Sequence, residues 1–180
     1  MKDFNFRHGD AKSDVFATDA MINPSPVDRI PEGPTTPQVA YQMVKDETYP
    51  QTQPRLNLAT FVHPLAYVAP DVTIEPGVVI MPYAMISSAT QIGMGTLIMT
   101  GVTIGHDTKI GKFNHIASQA VVGSYLDVSD GVHFGLNCTV REHLTIGENS
   151  TIGMGAVLTK NVGNSEIWIG SPAFFLRKAE

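Results

Sequence analysis

A six-residue period runs through this chain without a break. Counting in sixes meets Val62, Val68, Ile74, Ile80, Ile86, Ile92, Ile98, Ile104, Ile110 and Ile116. It continues through Val122, Val128, Phe134, Val140, Ile146, Ile152 and Leu158. Seventeen consecutive positions are aliphatic apart from one Phe, and no insertion shifts the frame. Self-similarity of this kind constrains a fold more than any single motif. Two residues before many of these positions stands another small or apolar residue, among them Val72, Val78, Ala84, Thr90, Thr96, Val102, Ala120, Val132, Cys138 and Ala156. Residues two apart on a strand share a face, so both sets are expected to point inward.

The remaining positions explain how the chain turns. Two after the aliphatic come Pro64, Pro70, Pro76 and Pro82, whose fixed φ favours a corner. Three after it, ten of the seventeen residues are Gly, Asn or Asp, the types that tolerate a positive φ. Short strands with a corner every six residues fit neither hairpins nor a helical solenoid. They wind into a three-sided prism with three hexads per coil, each coil resting on the one below.

Composition narrows the class further. Lys+Arg number 12 against 17 Asp+Glu, a net charge of -5, which disfavours general nucleic-acid binding. Only 16% of residues are charged, against about 25% in ordinary soluble domains, so part of the surface is expected to be hidden in an oligomer. The single cysteine, Cys138, excludes an intrachain disulfide and fits a reducing compartment. The polar start and the absence of a long apolar run point to a soluble, cytoplasmic protein.

From about Asn57 to Ala173 the sequence resembles the hexapeptide-repeat acyltransferases, whose pattern is an aliphatic, a small residue, two variable residues and another small one. The resemblance implies a left-handed parallel β-helix, usually a trimer. The expected organisation is an N-terminal arm or reduced subdomain over 1–55, the β-helix over 56–163, and a C-terminal loop and tail over 164–180 ending in a short helix. Seven of the twelve prolines fall between Pro24 and Pro54, so the arm is expected to be mostly extended, with one helical segment at 37–47. The run Leu56-Asn57-Leu58-Ala59-Thr60-Phe61-Val62-His63-Pro64 resembles the β-helix entry of bacterial sialic-acid O-acetyltransferases and amino-sugar N-acetyltransferases. In that subfamily a small domain with a Gly-rich turn precedes the β-helix and holds a nucleotide-sugar. Here only Gly9 and Gly33 occur before Gly77, so the phosphate-cradling turn has no counterpart.

The stretch from Ile104 to Ile116 matches the subfamily's His, the acidic residue after it and a second His nine positions later, as His106, Asp107 and His115. The resemblance implies His106 as general base, a task that suits an imidazole titrating near neutrality. Asp107 would orient it, although its place in the hexad also suits a turn residue. His115 would contact the substrate or thioester, and the backbone N–H of Gly123 or Ser124 is the candidate for its oxyanion. Two departures flank the base: Gly105 and Met99 stand where the subfamily often has Glu and Asn. His133 falls three hexads after His115, hence on the adjacent coil, and is read as incidental.

Acetyl-CoA is the implied co-substrate. Gly135, Gly153 and Gly155, with the closing Pro172 and Ala173, match the family's donor groove, and Lys160, Arg177 or Lys178 would meet phosphates. Partners implied are two further copies of this chain and a small acceptor, probed best among sugar amines and alcohols. No metal is expected. Two other readings stay open: a γ-class carbonic-anhydrase-like zinc protein, for which only His133 and Cys138 have a comparable spacing, and a noncatalytic scaffold.

Overall fold

The structure, a computed structural model, describes residues 59–179. The Pro-rich arm and its expected helical segment lie outside the described residues. Seventeen two-residue strands, β1 (Phe61–Val62) through β17 (Val157–Leu158), recur every six residues, each ending on one of the aliphatics of the period. Successive strands do not pair with each other. From β1 to β14 each pairs in parallel with the strand three further on, so Phe61 lies beside Val79 and His115 beside both Leu97 and His133. The register advances by three hexads, one coil of a three-faced parallel β-helix.

The corners behave as the period requires. Every sixth residue from Gly77 to Gly155 has a positive φ. Six of these fourteen corners are filled by neither Gly, Asn nor Asp: Tyr83, Ala89, Phe113, Gln119, Tyr125 and His143. An L-residue with a Cβ is strained in that conformation. Phe113 offsets the strain by packing: the residue is 8% exposed, and a Cβ on Gly95 of the coil below would lie 2.6 Å from its ring.

Inside, the aliphatics stack into one core in which Ile80, Ile86, Ile98, Ile104, Ile116 and Phe134 are fully buried. Polar residues enter this core only with partners. Asn114 is fully buried; its Oδ1 accepts from the Val132 N–H at 2.7 Å and its Nδ2 donates to the Ser129 carbonyl at 3.1 Å. Asn114→Val removes both bonds and leaves buried backbone groups unpaired, so chemical denaturation should read a loss of about 1–3 kcal/mol. An unchanged midpoint would show that water replaces the amide.

The three faces differ in what they turn outward. On the second face the outward row is Tyr67, Met85, Thr103, Val121, Thr139 and Val157. On the third it is Thr73, Gln91, Lys109, Asp127 and Thr145. The first carries Phe61, Val79, Leu97, His115, His133, Thr151 and Ile167. Of these rows, the third alone contains Lys or Asp.

The frame shortens at the end. Thr151 pairs with Ile167, slightly short of a full coil, in β18 (Glu166–Ile169), which extends the first face. Side chains substitute for lost register here, with Asn161 Oδ1 accepting from the Thr145 N–H at 3.0 Å and Asn164 Oδ1 from the Glu148 N–H at 3.0 Å. The short helix expected in the tail is not formed. Phe174–Lys178 is instead a strand, β19, antiparallel to β18, and a Lys178–Glu166 ion pair of 3.1 Å ties its end. A helix of this length is marginal, whereas the open end of a sheet satisfies the backbone of an aromatic-rich segment.

Candidate functional site

His106 occupies the corner between the second and third faces, between β8 (Thr103–Ile104) and β9 (Lys109–Ile110). Its side chain is exposed, and Nδ1 lies 2.8 Å from Asp107 Oδ2. A carboxylate only accepts, so Nδ1–H donates, and in the neutral imidazole this tautomer leaves the lone pair on Nε2. Asp107 does both things its position suggested: it holds the imidazole, and it turns the corner with φ 54.

The coil beneath this pair is pinned from inside. Thr108 is fully buried and its hydroxyl donates to the Gly123 carbonyl at 3.0 Å and the His106 carbonyl at 3.3 Å. The Tyr125 N–H also donates to the His106 carbonyl, at 3.1 Å. A Cβ on Gly105 would lie 2.5 Å from Ser124 Oγ and 2.6 Å from Ser124 N. Ser124 therefore leaves no room for the Glu that the subfamily often carries there. Gly123 and Ser124, both half-buried, follow β11 (Val121–Val122) at the equivalent corner of the next coil, beside His106.

His115 lies elsewhere, on the first face, opposite that corner. It lines a groove of about 350 Å³ with Met99, Ala117, Ser118, His133, Gly135, Leu136 and Met154. His133 is no incidental neighbour: the two rings are in contact, centroids 4.9 Å apart and planes tilted by 58°. Burial lowers the pKa of both, and for His115 the charge His133 would carry lowers it further. Both imidazoles therefore stay uncharged at neutral pH, facing a predominantly apolar groove.

The donor-side residues divide by what their backbones touch. A Cβ on Gly135 would lie 2.5 Å from Met154 N, and one on Gly153 2.8 Å from an Ile169 methyl, so coil stacking alone requires both glycines. Gly155 differs: it has φ +64 and open space beside it. Ala173 is buried and its N–H donates to the Val157 carbonyl at 2.8 Å, docking the closing loop on the last coil, while Pro172 and Lys160 are exposed. The Lys178 ammonium is engaged by Glu166 and the Asn164 carbonyl. Cys138 is fully buried with its thiol pushed up to about 12 by burial, which removes it as a nucleophile and as a partner of His133 for zinc.

Two clusters therefore stand half a coil apart: His106, Asp107, Gly123 and Ser124 at one corner, His115, His133 and Gly135 on the opposite face. Sequence reasoning missed Tyr125 and His143, whose rings continue the His106 corner. Their signal was spacing, since Asp107, Tyr125 and His143 follow one another at intervals of three hexads.

Comparison with known proteins agrees with this architecture. The family profile for bacterial transferase hexapeptide (six repeats) matches residues 89–124, the segment that carries His106 and His115. A putative acetyltransferase of Schizosaccharomyces pombe is 41% identical over 58 residues, 32% of this chain and 28% of that protein. UDP-3-O-acylglucosamine N-acyltransferase of Caulobacter sp. (strain K31) is 36% identical over 73 residues, 41% of this chain and 22% of that protein. The matched stretches are thus less than a third of either relative. Among solved structures, PerB from Caulobacter crescentus in complex with CoA and GDP-perosamine superposes with a TM-score of 0.69 at 26% identity, over 78% of this chain and 64% of that one. The acetyltransferase domain of PglB from Neisseria gonorrhoeae has the same fold, with a TM-score of 0.70 at 24% identity over 78% of this chain and 67% of that one. Repeat, relatives and fold place the chain alongside the hexapeptide-repeat acyltransferases, and it resembles the amino-sugar N-acetyltransferases among them.

Proposed function

We propose that this protein is an acetyl-CoA-dependent acyltransferase that works as a homotrimer and acetylates an amine or hydroxyl of a sugar-like acceptor. The observation that carries the proposal is the His106–Asp107 pair, 2.8 Å apart on an exposed corner of a fold shared with an enzyme solved with CoA and GDP-perosamine. Asp107 accepts from Nδ1–H, so Nε2 takes the proton from the acceptor as its nitrogen or oxygen attacks the thioester carbonyl. The tetrahedral oxyanion takes a hydrogen bond from the N–H of Gly123 or Ser124. Its collapse breaks the C–S bond, and the CoA thiolate recovers the proton from His106. No covalent enzyme intermediate is needed, in keeping with a buried Cys138.

The outward rows support the trimer. The second face exposes Tyr67 at 60%, Met85 at 44% and Val121 at 43%, and the groove on the first face is bordered by Leu136 at 54% and Met154 at 78%. Burying the first face of one subunit against the second face of its neighbour covers these and leaves the charged third face in water. That packing also brings the neighbour's His106 corner to the edge of the groove holding His115 and His133. The groove suits the apolar stretches of a pantetheine arm, with Gly155, Pro172 and Ala173 toward its end. Lys160, three coils beyond His106 on the corner opposite the groove, reaches CoA phosphates only from the neighbouring subunit. The single free Cys138 supports a cytoplasmic setting.

Calorimetry with CoA and an assay of free thiol released from acetyl-CoA, run over a set of amino sugars and sugar alcohols, test the activity. Binding of CoA with turnover on at least one acceptor is expected, from a particle that light scattering reads as a trimer. A stable monomer at micromolar concentration, or a chain that ignores CoA, overturns the reading.

A further inference from the structure

The groove on the first face is apolar but for three side chains. Of the residues that line it, only Ser118, His115 and His133 carry a polar side chain, against Met99, Leu136 and Met154. His115 and His133 are partners on adjacent parallel strands, β10 (His115–Ile116) and β13 (His133–Phe134). They therefore stand one coil apart, about 4.8 Å. Their rings touch at a tilt of 58°, and neither ring makes a hydrogen bond among the described residues. Burial holds both below the ordinary histidine pKa. A neutral imidazole carries one N–H donor and one acceptor nitrogen. Two such rings thus face an apolar groove with no protein partner. Filling the groove with hydrocarbon alone would strip water from these nitrogens and leave them unsatisfied, at a cost. An occupant that fits brings polar groups at the spacing of the coil.

We propose that the His133 ring hydrogen-bonds the first amide of the pantetheine arm and so selects acyl donors built on pantetheine over simple thioesters. This rests on the acyltransferase reading and specifies the donor side of that site. In that reading the thioester lies at His115. Two methylenes separate its sulfur from the first amide nitrogen, an extended reach comparable to the step from one strand to the next. The amide therefore arrives beside His133. Its C=O accepts from the ring N–H, or its N–H donates to the other ring nitrogen, according to the tautomer. The methylenes on either side meet the apolar wall of Leu136 and Met154. Contact between the two imidazoles limits the rotamers of both, so His133 loses little freedom when the amide binds. A thioester without an amide leaves the His133 nitrogens unpaired in the filled groove.

Calorimetry on the intact oligomer compares CoA with phosphoadenosine diphosphate, which is CoA without its pantetheine arm. The ratio of the two dissociation constants isolates what the arm contributes. His133→Leu keeps a side chain of similar size and removes both ring nitrogens, while His133→Gln keeps a donor and an acceptor. The advantage of CoA over the nucleotide should fall about three- to tenfold in His133→Leu, the usual worth of one net hydrogen bond. His133→Gln should recover most of it. In thiol release, His133→Leu should narrow by a similar factor the kcat/KM preference for N,S-diacetylcysteamine, which has the amide, over ethyl thioacetate, which lacks it. Equal losses on CoA and the nucleotide would show that His133 only shapes the coil and would overturn the proposal. An unchanged advantage or preference in His133→Leu overturns it as well, and so does a loss that His133→Gln fails to recover. Wild-type protein that ignores CoA refutes the underlying activity, a failure distinct from these.

Discussion

His106→Ala should lower turnover by roughly 10²–10⁴ while CoA affinity and the oligomeric state stay unchanged. The size follows from what is removed: the corner imidazole whose Nδ1 is committed to a carboxylate, leaving Nε2 to take a proton. The tolerance follows from exposure, because the side chain is at the surface and contributes nothing to the core. Its backbone bonds, from Thr108 Oγ1 and the Tyr125 N–H, survive the substitution. Steady-state kinetics with the acceptor varied reads the effect, and activity within a few-fold of wild type would remove His106 from the mechanism. Asp107→Asn should cost less than His106→Ala, since Asn accepts the same bond and suits φ 54. Asp107→Ala loses both and should also lower stability.

The coil was legible because its determinants repeat. One aliphatic every six residues and a turn-former three later specify strand, corner and stacking, and the positive φ recurs in step from Gly77 to Gly155. The same arithmetic contained the His115–His133 pair and the Tyr125–His143 stack, since coil neighbours are three hexads apart. It did not rank them, because outward side chains carry no periodic hydrophobic signal, and the chemistry of a surface column depends on which rings fall together. Asp107 shows the same ambiguity from the other side. Its residue type suits a corner or a hydrogen bond to histidine, and only coordinates reveal that it makes both. The tail went astray for a different reason. Residues 174–178 pair with a strand that exists only once the last coil has formed, so the decisive contact is tertiary.

Mixing subunits that carry only His106→Ala with subunits that carry only His115→Ala should restore activity above either parent. The separation of the two histidines leads to this. His106 lies at the corner between the second and third faces, and His115 on the first, so the width of the prism, on the order of 15 Å, stands between them in one chain. The proposed cyclic trimer, with the first face of one subunit against the second face of its neighbour, would place the His106 corner of each subunit beside the first face of the next. Each cleft then takes His106 from one subunit and His115 from its neighbour. In a trimer of two subunits of one kind and one of the other, going round the ring gives one cleft with both histidines, one with neither and one with a single histidine. With equal amounts and random assembly, about one quarter of all clefts are complete. Co-expression with two different tags isolates the mixed trimers, and their thiol-release rate is compared with that of each parent. If both histidines served a cleft within a single subunit, no subunit in the mixture would hold the pair, and the mixed trimers would be no more active than their parents.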